Sequence, residues 1–592
     1  MLKILVCVKQ VPDVDQMRMD PETGNLIRAG VPAILNPLDA NALSAAVKVK
    51  ETYGAEITLI TMGPPAAEAV LRECLAVGAD KAILVTDRAF GNADTLATSY
   101  SIVSAANTAG KFDLIFCGKE TLDGATGQMG SQLAERFDAA QITSASLIKD
   151  IDFENRKLTV ERELEEGTET LEVTMPCLFT MEKKNYPLRL PSLKNWMASK
   201  KAVITTLTSK DIPGLDLDRI GDPGSPTKVP RMFPPVMPEP GVMLDEGSKA
   251  HFAYQGLRGG AAMDKKNFKN MWVYIEHDGK QVHPVALELC CETRRLCDES
   301  GDKLIAVIAG TLPESEIDKV KDCGVDGVIY VSGTGYDRYN TEAYTNLFTV
   351  LCRKYKPSAV FVGGTTNGRD FAPRFAARLE TGCTSDATEL IYNPETTDIE
   401  FVEPAAGGKI MAVITIPALR PQVGTIRPGT FKYAPVGRKA EIEEIHEEVS
   451  FPVSEIRTKF IGFTADSFDP ELDIANCETI VCVGAGMKNE SLPKYRELAA
   501  LLGGKIACTR PIVDRELLPY KLQVGQSGVM IKPKLYIGFG ISGAVNHVTG
   551  VDAGKFIAVN KDPHAPIFNY CDYGIVGDMD EVCDEMIRQL KK

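Results

Sequence analysis

Three short apolar runs near the carboxyl terminus set the tightest limit on the fold of this chain. They are Lys505–Cys508, Leu535–Phe539 and Phe556–Val559, and they read as buried strands. Each ends in small, hydroxyl or amide residues: Thr509, then Gly540, Ser542 and Gly543, then Asn560. An open parallel sheet gathers its ligand contacts at the carboxyl ends of its strands. Glycines there let backbone N–H groups approach a phosphate, and a following helix N-terminus favours the negative charge. Residues 505–578 therefore read as a nucleotide or dinucleotide site, with ordinary turns as the plain alternative.

The same alternation of apolar runs and helical stretches extends through the chain. It indicates an α/β fold with three parallel-sheet α/β units, two of them nucleotide-binding, joined by Pro/Gly-rich and hinge linkers. Strands are expected at Lys3–Val8, Ile57–Met62, Ala82–Val85 and Leu114–Cys117, followed by an antiparallel pair around the Glu165-Glu166-Gly167 turn. Residues 222–246 are dense in proline and glycine and hold no period, which marks a linker or extended arm. The α/β pattern then restarts, and a second linker is expected near 445–473. The domains expected are 1–221, an arm at 222–265, 266–444, a hinge at 445–473, and 474–592. The first two α/β units share a layout, which suggests a pseudo-repeat.

A length of 592 residues agrees with about three or four domains. The net charge of -14 argues against nucleic acid as a partner. No apolar run is long enough for membrane insertion, and the amino terminus lacks the pattern of a signal peptide, so a cytoplasmic location is expected. The 15 cysteines are scattered, with no Cys-x-x-Cys pair, and read as small buried hydrophobes in a reducing compartment rather than metal ligands. No Ser-His-Asp order, no HExxH and no paired catalytic carboxylates stand out, which weighs against hydrolysis.

The run Leu114–Cys117 leads into GKETLDGATGQMGSQLAERF. Thr121, Asp123, Gly124, Thr126 and Gly127 form a strand-to-helix loop able to cradle a phosphate, or a tight turn with a helix cap. VKQVPD, LNPLDANAL at 35–43 and TMGPP at 61–65 are further strand-end loops of the same crevice. In GNADTLAT at 91–98, Asp94 reads as a helix N-cap or as a hydrogen-bond partner of a ring. In the C-terminal unit, Arg510 supplies a fixed positive charge, Ser527 a hydroxyl, and His547 either a ring contact or a packed helical histidine.

These residues carry a resemblance to the electron-transfer flavoprotein family. TRPIVD, LQVGQSG, LYIGFGISGAVNH, VNKDPHAPIF and DYGIVGD resemble the FAD domain of the alpha subunit. VKQVPD, NPLDANAL, the 118–135 loop and helix, VERELEEG and PSLKNWMASKK resemble the beta subunit. The order is beta then alpha in one polypeptide. The resemblance implies an FAD held by Thr509, Arg510, Gln523, Val524, Gly525, Gln526, Ser527, Ser542, His547, Asn560 and Asp578. Arg510 would lie over the flavin ring, Ser527 near N5 and His547 near O2, the three that tune its chemistry, with Asn560 and Asp578 on the adenosine side. In VGAGMKN at 483–489, Ala485 stands where relatives often carry arginine.

The resemblance also implies a second nucleotide at Cys7, Asn36, Met62, Thr121, Asp123, Gly124, Thr126, Gly127, Gln128 and Met129. In one branch it is AMP. In another it is a second FAD that meets NADH and bifurcates its electrons, one to ferredoxin or flavodoxin and the other through the first FAD to a dehydrogenase of acyl-CoA type. Asp94, Thr95 and Thr98 resemble the bifurcating branch, while Ala125 and Met129 depart from its wording. The alternative is a carrier with one FAD and one AMP. No metal is expected. Segment Asn185–Lys201 resembles the loop that docks the dehydrogenase, with Leu193 as its apolar anchor. Arg369, Arg374 and Arg378 are expected as phosphate, interdomain or helix salt-bridge residues.

Overall fold

The computed structural model describes residues 1–13, 18–19, 26–27, 31–182, 185–233, 265–405, 410–465, 472–474, 477–525, 528–548 and 550–591. The chain divides into two compact units. The larger spans Met1–Phe233, Leu257–Ala406 and Ala412–Asp466, and the described body of the smaller lies within Ser467–Lys592.

The larger unit holds two α/β parts of the same topology. In the first, the central strands run in the order Lys81–Val85, Ala55–Met62, Leu2–Cys7, Leu114–Gly118 and Cys177–Met181, all parallel. In the second, the order is Gly327–Ser332, Leu304–Ala309, Met271–Tyr274, Ala359–Gly363 and Gln422–Ile426, again parallel. Numbered along the chain, each begins 3-2-1-4, so each has a switch point between its first and fourth strands. The two-sided burial of LIAVIA at Leu304–Ala309, every residue of it buried, is what a strand covered by helices on both faces requires. This matched topology is the pseudo-repeat suggested by the sequence.

Strands Lys157–Leu164 and Gly167–Thr174 form the expected antiparallel hairpin, in register from Leu164 against Gly167. Two expected linkers are instead partly built into sheets. Within the 222–265 arm, Lys228–Phe233 is the edge strand of a four-stranded sheet, and Thr227 hydrogen-bonds Asp94. Within 445–473, Thr458–Ala465 pairs antiparallel with Gly167–Thr174 and closes the edge of the first sheet. Its alternation of Phe460 inward with Lys459 and Ile461 outward is a strand period that the polar flanks concealed. Of the expected hinge at 445–473, residues 466–471 lie outside the described residues.

A buried polar network joins the two α/β parts. Asp370 has no exposed surface and accepts hydrogen bonds from Gln141 Nε2 at 2.6 Å, Thr143 Oγ1 at 2.7 Å, Tyr339 Oη at 2.6 Å and Thr341 Oγ1. Arg374 and Arg378, on helix Thr366–Arg378, both pair with Glu135 of the first part, at 3.0 and 2.5 Å. Their role is therefore interdomain, whereas Arg369 pairs with Asp386 of its own part. Removing one member of such a buried ionic set strands the others, at a cost of about 3–5 kcal/mol.

The smaller unit is a five-stranded parallel sheet in the order Lys505–Cys508, Thr479–Val483, Leu535–Phe539, Phe556–Asn560 and Tyr573–Val576. Numbered along the chain this is 2-1-3-4-5, with the switch point between Thr479–Val483 and Leu535–Phe539. No helix among the described residues is long and apolar enough to cross a membrane.

Candidate functional site

In the smaller unit the strand-end loops converge at the switch point. Gly484 N donates to Phe539 O at 2.8 Å and Gly486 N to Gly540 O at 3.2 Å, which stitches the two central loops together. A Cβ on Gly484 would lie 2.4 Å from Gly540 O, so only glycine allows this approach. Thr509 N donates to Val483 O at 3.0 Å, on the outer side of the same edge. Its hydroxyl is buried and has no hydrogen-bond partner among the described residues. A buried polar atom of that kind calls for a ligand or water. It is the observation that fits these residues to a bound nucleotide.

Arg510 follows at once as an exposed guanidinium, loosely paired with Asp514 at 3.8 Å. Ser542 is exposed beyond Gly540. Gln523 and Val524 are buried, and Val524 N bonds Cys508 O at 2.9 Å, which places this stretch beside the same strand end. Gly525 adopts φ +140. Gln526 and Ser527 lie outside the described residues.

Three site residues are already engaged within the unit. His547 Nδ1 donates to Val524 O at 3.0 Å, which fixes the tautomer, and Nε2 then accepts from Tyr536 Oη at 2.7 Å. Burial pushes the imidazole pKa down to about 4, against the Val524 hydrogen bond. His547 is thus neutral, with both nitrogens turned into the core rather than toward a ring carbonyl. Asn560 Nδ2 donates to Ile541 O at 2.8 Å and its Oδ1 accepts from Asp562 N, so it fastens one strand-end loop to the next. Asp578 caps helix Met579–Leu590 through Asp580 N and Glu581 N.

In the larger unit the first switch point lies between the ends of Leu2–Cys7 and Leu114–Gly118. Asp39, in the first turn of helix Pro37–Tyr53, straddles it. It accepts from Lys9 N and from Gly118 N, both at 2.9 Å. Burial pushes this carboxyl up to about 7, against hydrogen bonds from Gly118, Asn36 and Lys9. Sequence reading singled out the 35–43 loop but not Asp39 itself. Cys7 is buried beside it, its thiol pushed up by burial and by Asp39. Asn36 ties the loop down: Nδ2 donates to Glu120 O at 2.9 Å and Oδ1 accepts from Leu122 N at 3.3 Å. Asp123 pairs with Lys9 Nζ at 2.8 Å. Burial opposes its charge, but Lys9 and hydrogen bonds from Thr121 and Gly124 hold its pKa below the ordinary value.

Ala125 at φ +49 and Gly127 at φ +62 bend the loop, and Gly124, Thr126, Met62 and Met129 are half-buried around it. Two of the loop's N–H groups are used within it: Gly124 N donates to Asp123 Oδ1 and Ala125 N to Thr121 O, both at 2.9 Å. Asp94 is the N-cap of helix Thr95–Asn107: one oxygen accepts from Ala97 N at 3.0 Å. The other accepts from Thr227 N at 3.0 Å and Thr227 Oγ1 at 2.6 Å, so both oxygens already have partners within the chain. Burial nevertheless pushes its carboxyl up. Thr98 N closes the first turn on Asp94 O.

Thr95 Oγ1 donates to Gln128 Oε1 at 2.6 Å, and Gln128 Nε2 donates to Cys383 O at 2.9 Å and Ser385 Oγ at 2.6 Å in the second α/β part. Behind Ser385, Asp386 pairs with both Arg369 and Arg427. Glu403 accepts from Ser385 N at 3.3 Å, and burial together with Asp386 pushes it up to about 8. Ser385 lies within the 368–390 stretch from which sequence reading took Arg369, Arg374 and Arg378, whereas Glu403 lies in no such motif. Among the described residues no cluster of His, Cys, Asp or Glu is arranged to hold a metal. All 15 cysteines are free.

Among the described residues, the segment 186–203 exposes a run of large apolar side chains: Leu188, Leu190, Leu193, Trp196, Met197 and Val203. Leu193 opens helix Leu193–Ser199 and is 77% exposed. Patches of this kind mark interaction sites.

Comparison with known proteins agrees with this geometry. The model of the electron transfer flavoprotein domain matches residues 23–212 and again 271–450, the two α/β parts of like topology. The model of the electron transfer flavoprotein FAD-binding domain matches 473–552, in the smaller unit. The chain is similar to the electron transfer flavoprotein subunit alpha of Clostridium acetobutylicum, 37% identical over 333 residues, 56% of this chain and 99% of the relative. It is similar to the electron transfer flavoprotein subunit beta of Thermoanaerobacterium thermosaccharolyticum, 46% identical over 229 residues, 38% of this chain and 86% of the relative. It is also similar to subunit LctC of the lactate dehydrogenase (NAD(+),ferredoxin) of Acetobacterium woodii, 35% identical over 363 residues, 60% of this chain and 82% of the relative. The chain belongs to the electron transfer flavoprotein family, with beta-type and alpha-type subunits joined in one FAD-binding electron-transfer polypeptide.

Proposed function

We propose that the chain oxidises NADH at a second FAD in the amino-terminal crevice. The electrons then divide between ferredoxin or flavodoxin and, through the FAD of the smaller unit, a dehydrogenase of acyl-CoA type. One observation carries the reading. The Thr95–Gln128–Ser385 chain ties the 94–98 segment and the 118–129 loop to the second α/β part around one crevice. A nucleotide at those strand ends would be enclosed from both sides, and exclusion of water is what a reactive redox group needs. The LctC relative, whose name pairs NAD(+) with ferredoxin, supports the same reading.

Bound FAD supplies the one- and two-electron chemistry. The chain's own residues bind and orient it. Asn36 and the Lys9–Asp123 pair hold the phosphate loop in shape. Asp94, as a helix cap locked to Thr227, keeps Thr95 against Gln128. In the smaller unit Thr509 offers its free hydroxyl and Arg510 a fixed positive charge, which favours electron-rich states of a ring nearby. The apolar segment around Leu193 receives the dehydrogenase.

Counting flavins tests the proposal. Two FAD per chain, bleached by NADH, with ferredoxin reduced only when the dehydrogenase can also accept, is the expected result. One FAD with one AMP, and no bleaching by NADH, would replace it with the simpler carrier.

A further inference from the structure

Arg515 gathers three elements of the smaller unit's crevice, although nothing in the sequence motifs draws attention to it. It is the residue that closes the short helix Arg510–Asp514. Its Nη2 donates to Ala485 O at 3.1 Å, and its Nη1 to Met487 O at 3.0 Å and Asn489 Oδ1 at 3.3 Å. Its Nε reaches back to Pro511 O at 3.2 Å. The loop after Thr479–Val483 is thereby clasped to the helix after Lys505–Cys508. A trans peptide carries its C=O and N–H on opposite sides. With Ala485 O drawn to Arg515, the N–H of the same peptide, on Gly486, points away and donates to Gly540 O at 3.2 Å. One peptide therefore transmits the clasp across the switch point to the loop after Leu535–Phe539.

We propose that Arg515 is a positioning residue of the FAD site. It sets the loop 484–489 against the helix that bears Arg510, and it places a second fixed positive charge at the switch point. The loop itself has Gly484, Ala485 and Gly486 and no cation between its glycines. The charge comes instead from the neighbouring helix. Lysine at 515 would keep the charge but lose the planar guanidinium that reaches four acceptors at once. Ala485 is exposed, so a cation can be installed on the loop without displacing the core.

The experiment uses the full chain as R515A, R515K and the double variant R515A/A485R. FAD is titrated into the deflavinated chain, and the midpoint potential of the smaller unit's flavin is measured. R515A is expected to weaken FAD binding about tenfold, as for loss of a charge-assisted hydrogen-bond set. It is also expected to lower that potential. R515K keeps the potential and loses part of the affinity, and A485R in the R515A background restores the potential. FAD affinity in R515A within twofold of the parent overturns the proposal. So does lost affinity with an unmoved potential, which would make Arg515 a purely structural clasp, and so does a double variant whose potential stays low. Hydrogen exchange in Leu535–Phe539 of the deflavinated chain, equal in R515A and the parent, separates these results from misfolding.

Discussion

Gln128 of the first α/β part donates a 2.6 Å hydrogen bond to Ser385 Oγ of the second, while its carbonyl accepts from Thr95 at the head of helix Thr95–Asn107. One buried amide thus reads the positions of three segments. Gln128→Ala leaves Thr95, Ser385 and Cys383 O without this partner in a buried interface. The expected cost is about 2–3 kcal/mol, because an unmade buried hydrogen bond costs more than a made one contributes. Ser385→Ala, which leaves the Cys383 bond intact, is expected to cost about 1 kcal/mol. Both tryptophans, Trp196 and Trp272, lie in the larger unit, so urea unfolding followed by tryptophan fluorescence measures it selectively. A loss below 0.5 kcal/mol for Gln128→Ala, a value well under about 1 kcal/mol, would remove the amide from its bridging role.

Asp39 gives the larger unit a pH signature. Burial raises its folded pKa from an ordinary 3.8 to about 7. The native chain therefore holds a proton that the unfolded chain releases. The stability linked to this group is complete below pH 3.8 and is lost as pH rises toward 7, by about 1.4 kcal/mol per pH unit. Glu276 and Glu403, raised to about 7 and about 8 by burial, act with the same sign. Asp39→Asn cannot titrate and disturbs the bonds from Lys9 N and Gly118 N, so its absolute stability falls. The quantity to compare is the slope. Between pH 5 and 7 the variant is expected to lose stability less steeply than the parent, and parallel slopes would assign the titration elsewhere.

The strands and the switch points were legible in the sequence because their causes are local. LIAVIA and KIAC are apolar on both faces, and glycine or threonine ends the run where a ligand or another backbone comes close. The site's shape was less legible because its causes lie far apart in sequence. Asp94 is locked by Thr227, 133 residues away, and Gln128 by Ser385, 257 residues away. Nothing near either residue announces its partner. The strand Thr458–Ala465 was read as linker because its pattern becomes meaningful only beside Gly167–Thr174. Asn560, read as a strand-end residue, and Asp578, placed by the resemblance on the adenosine side, bond neighbouring backbone through their side chains, a contact that a motif does not distinguish from one to a ligand.

Leu193 offers a test that separates docking from internal electron flow. Its side chain and those of Leu190 and Met197 are exposed among the described residues, the kind of apolar surface that a partner covers. Leu193→Ala removes an apolar anchor of the kind that dominates interfaces. The rate of electron delivery to an acyl-CoA-type dehydrogenase is expected to fall about tenfold, for a loss of about 1.4 kcal/mol of docking energy. Bleaching of the visible spectrum by NADH is expected to be unchanged. Stopped-flow absorbance measures both, and an unchanged delivery rate would move the docking surface away from this segment.

Tyr536 and His547 make the smaller unit sensitive to acid. The imidazole is neutral when folded, its pKa pushed from 6.5 to about 4 by burial. The unfolded chain takes up a proton that the native chain excludes. Stability linked to His547 is therefore complete above pH 6.5 and is lost as pH falls toward 4, by about 1.4 kcal/mol per pH unit. Tyr536→Phe removes the hydroxyl that donates to Nε2 and leaves that lone pair buried and unpaired, a cost of about 1–2 kcal/mol. Burial, the cause of the shift, remains, so the acid slope is expected to persist in Tyr536→Phe and to vanish in His547→Gln. Neither tryptophan lies in this unit. Hydrogen exchange in the peptide covering Leu535–Phe539, at pH values from 4.5 to 7 in steps of about one unit, reads its stability directly. An acid slope that survives in His547→Gln would show that another group carries the titration.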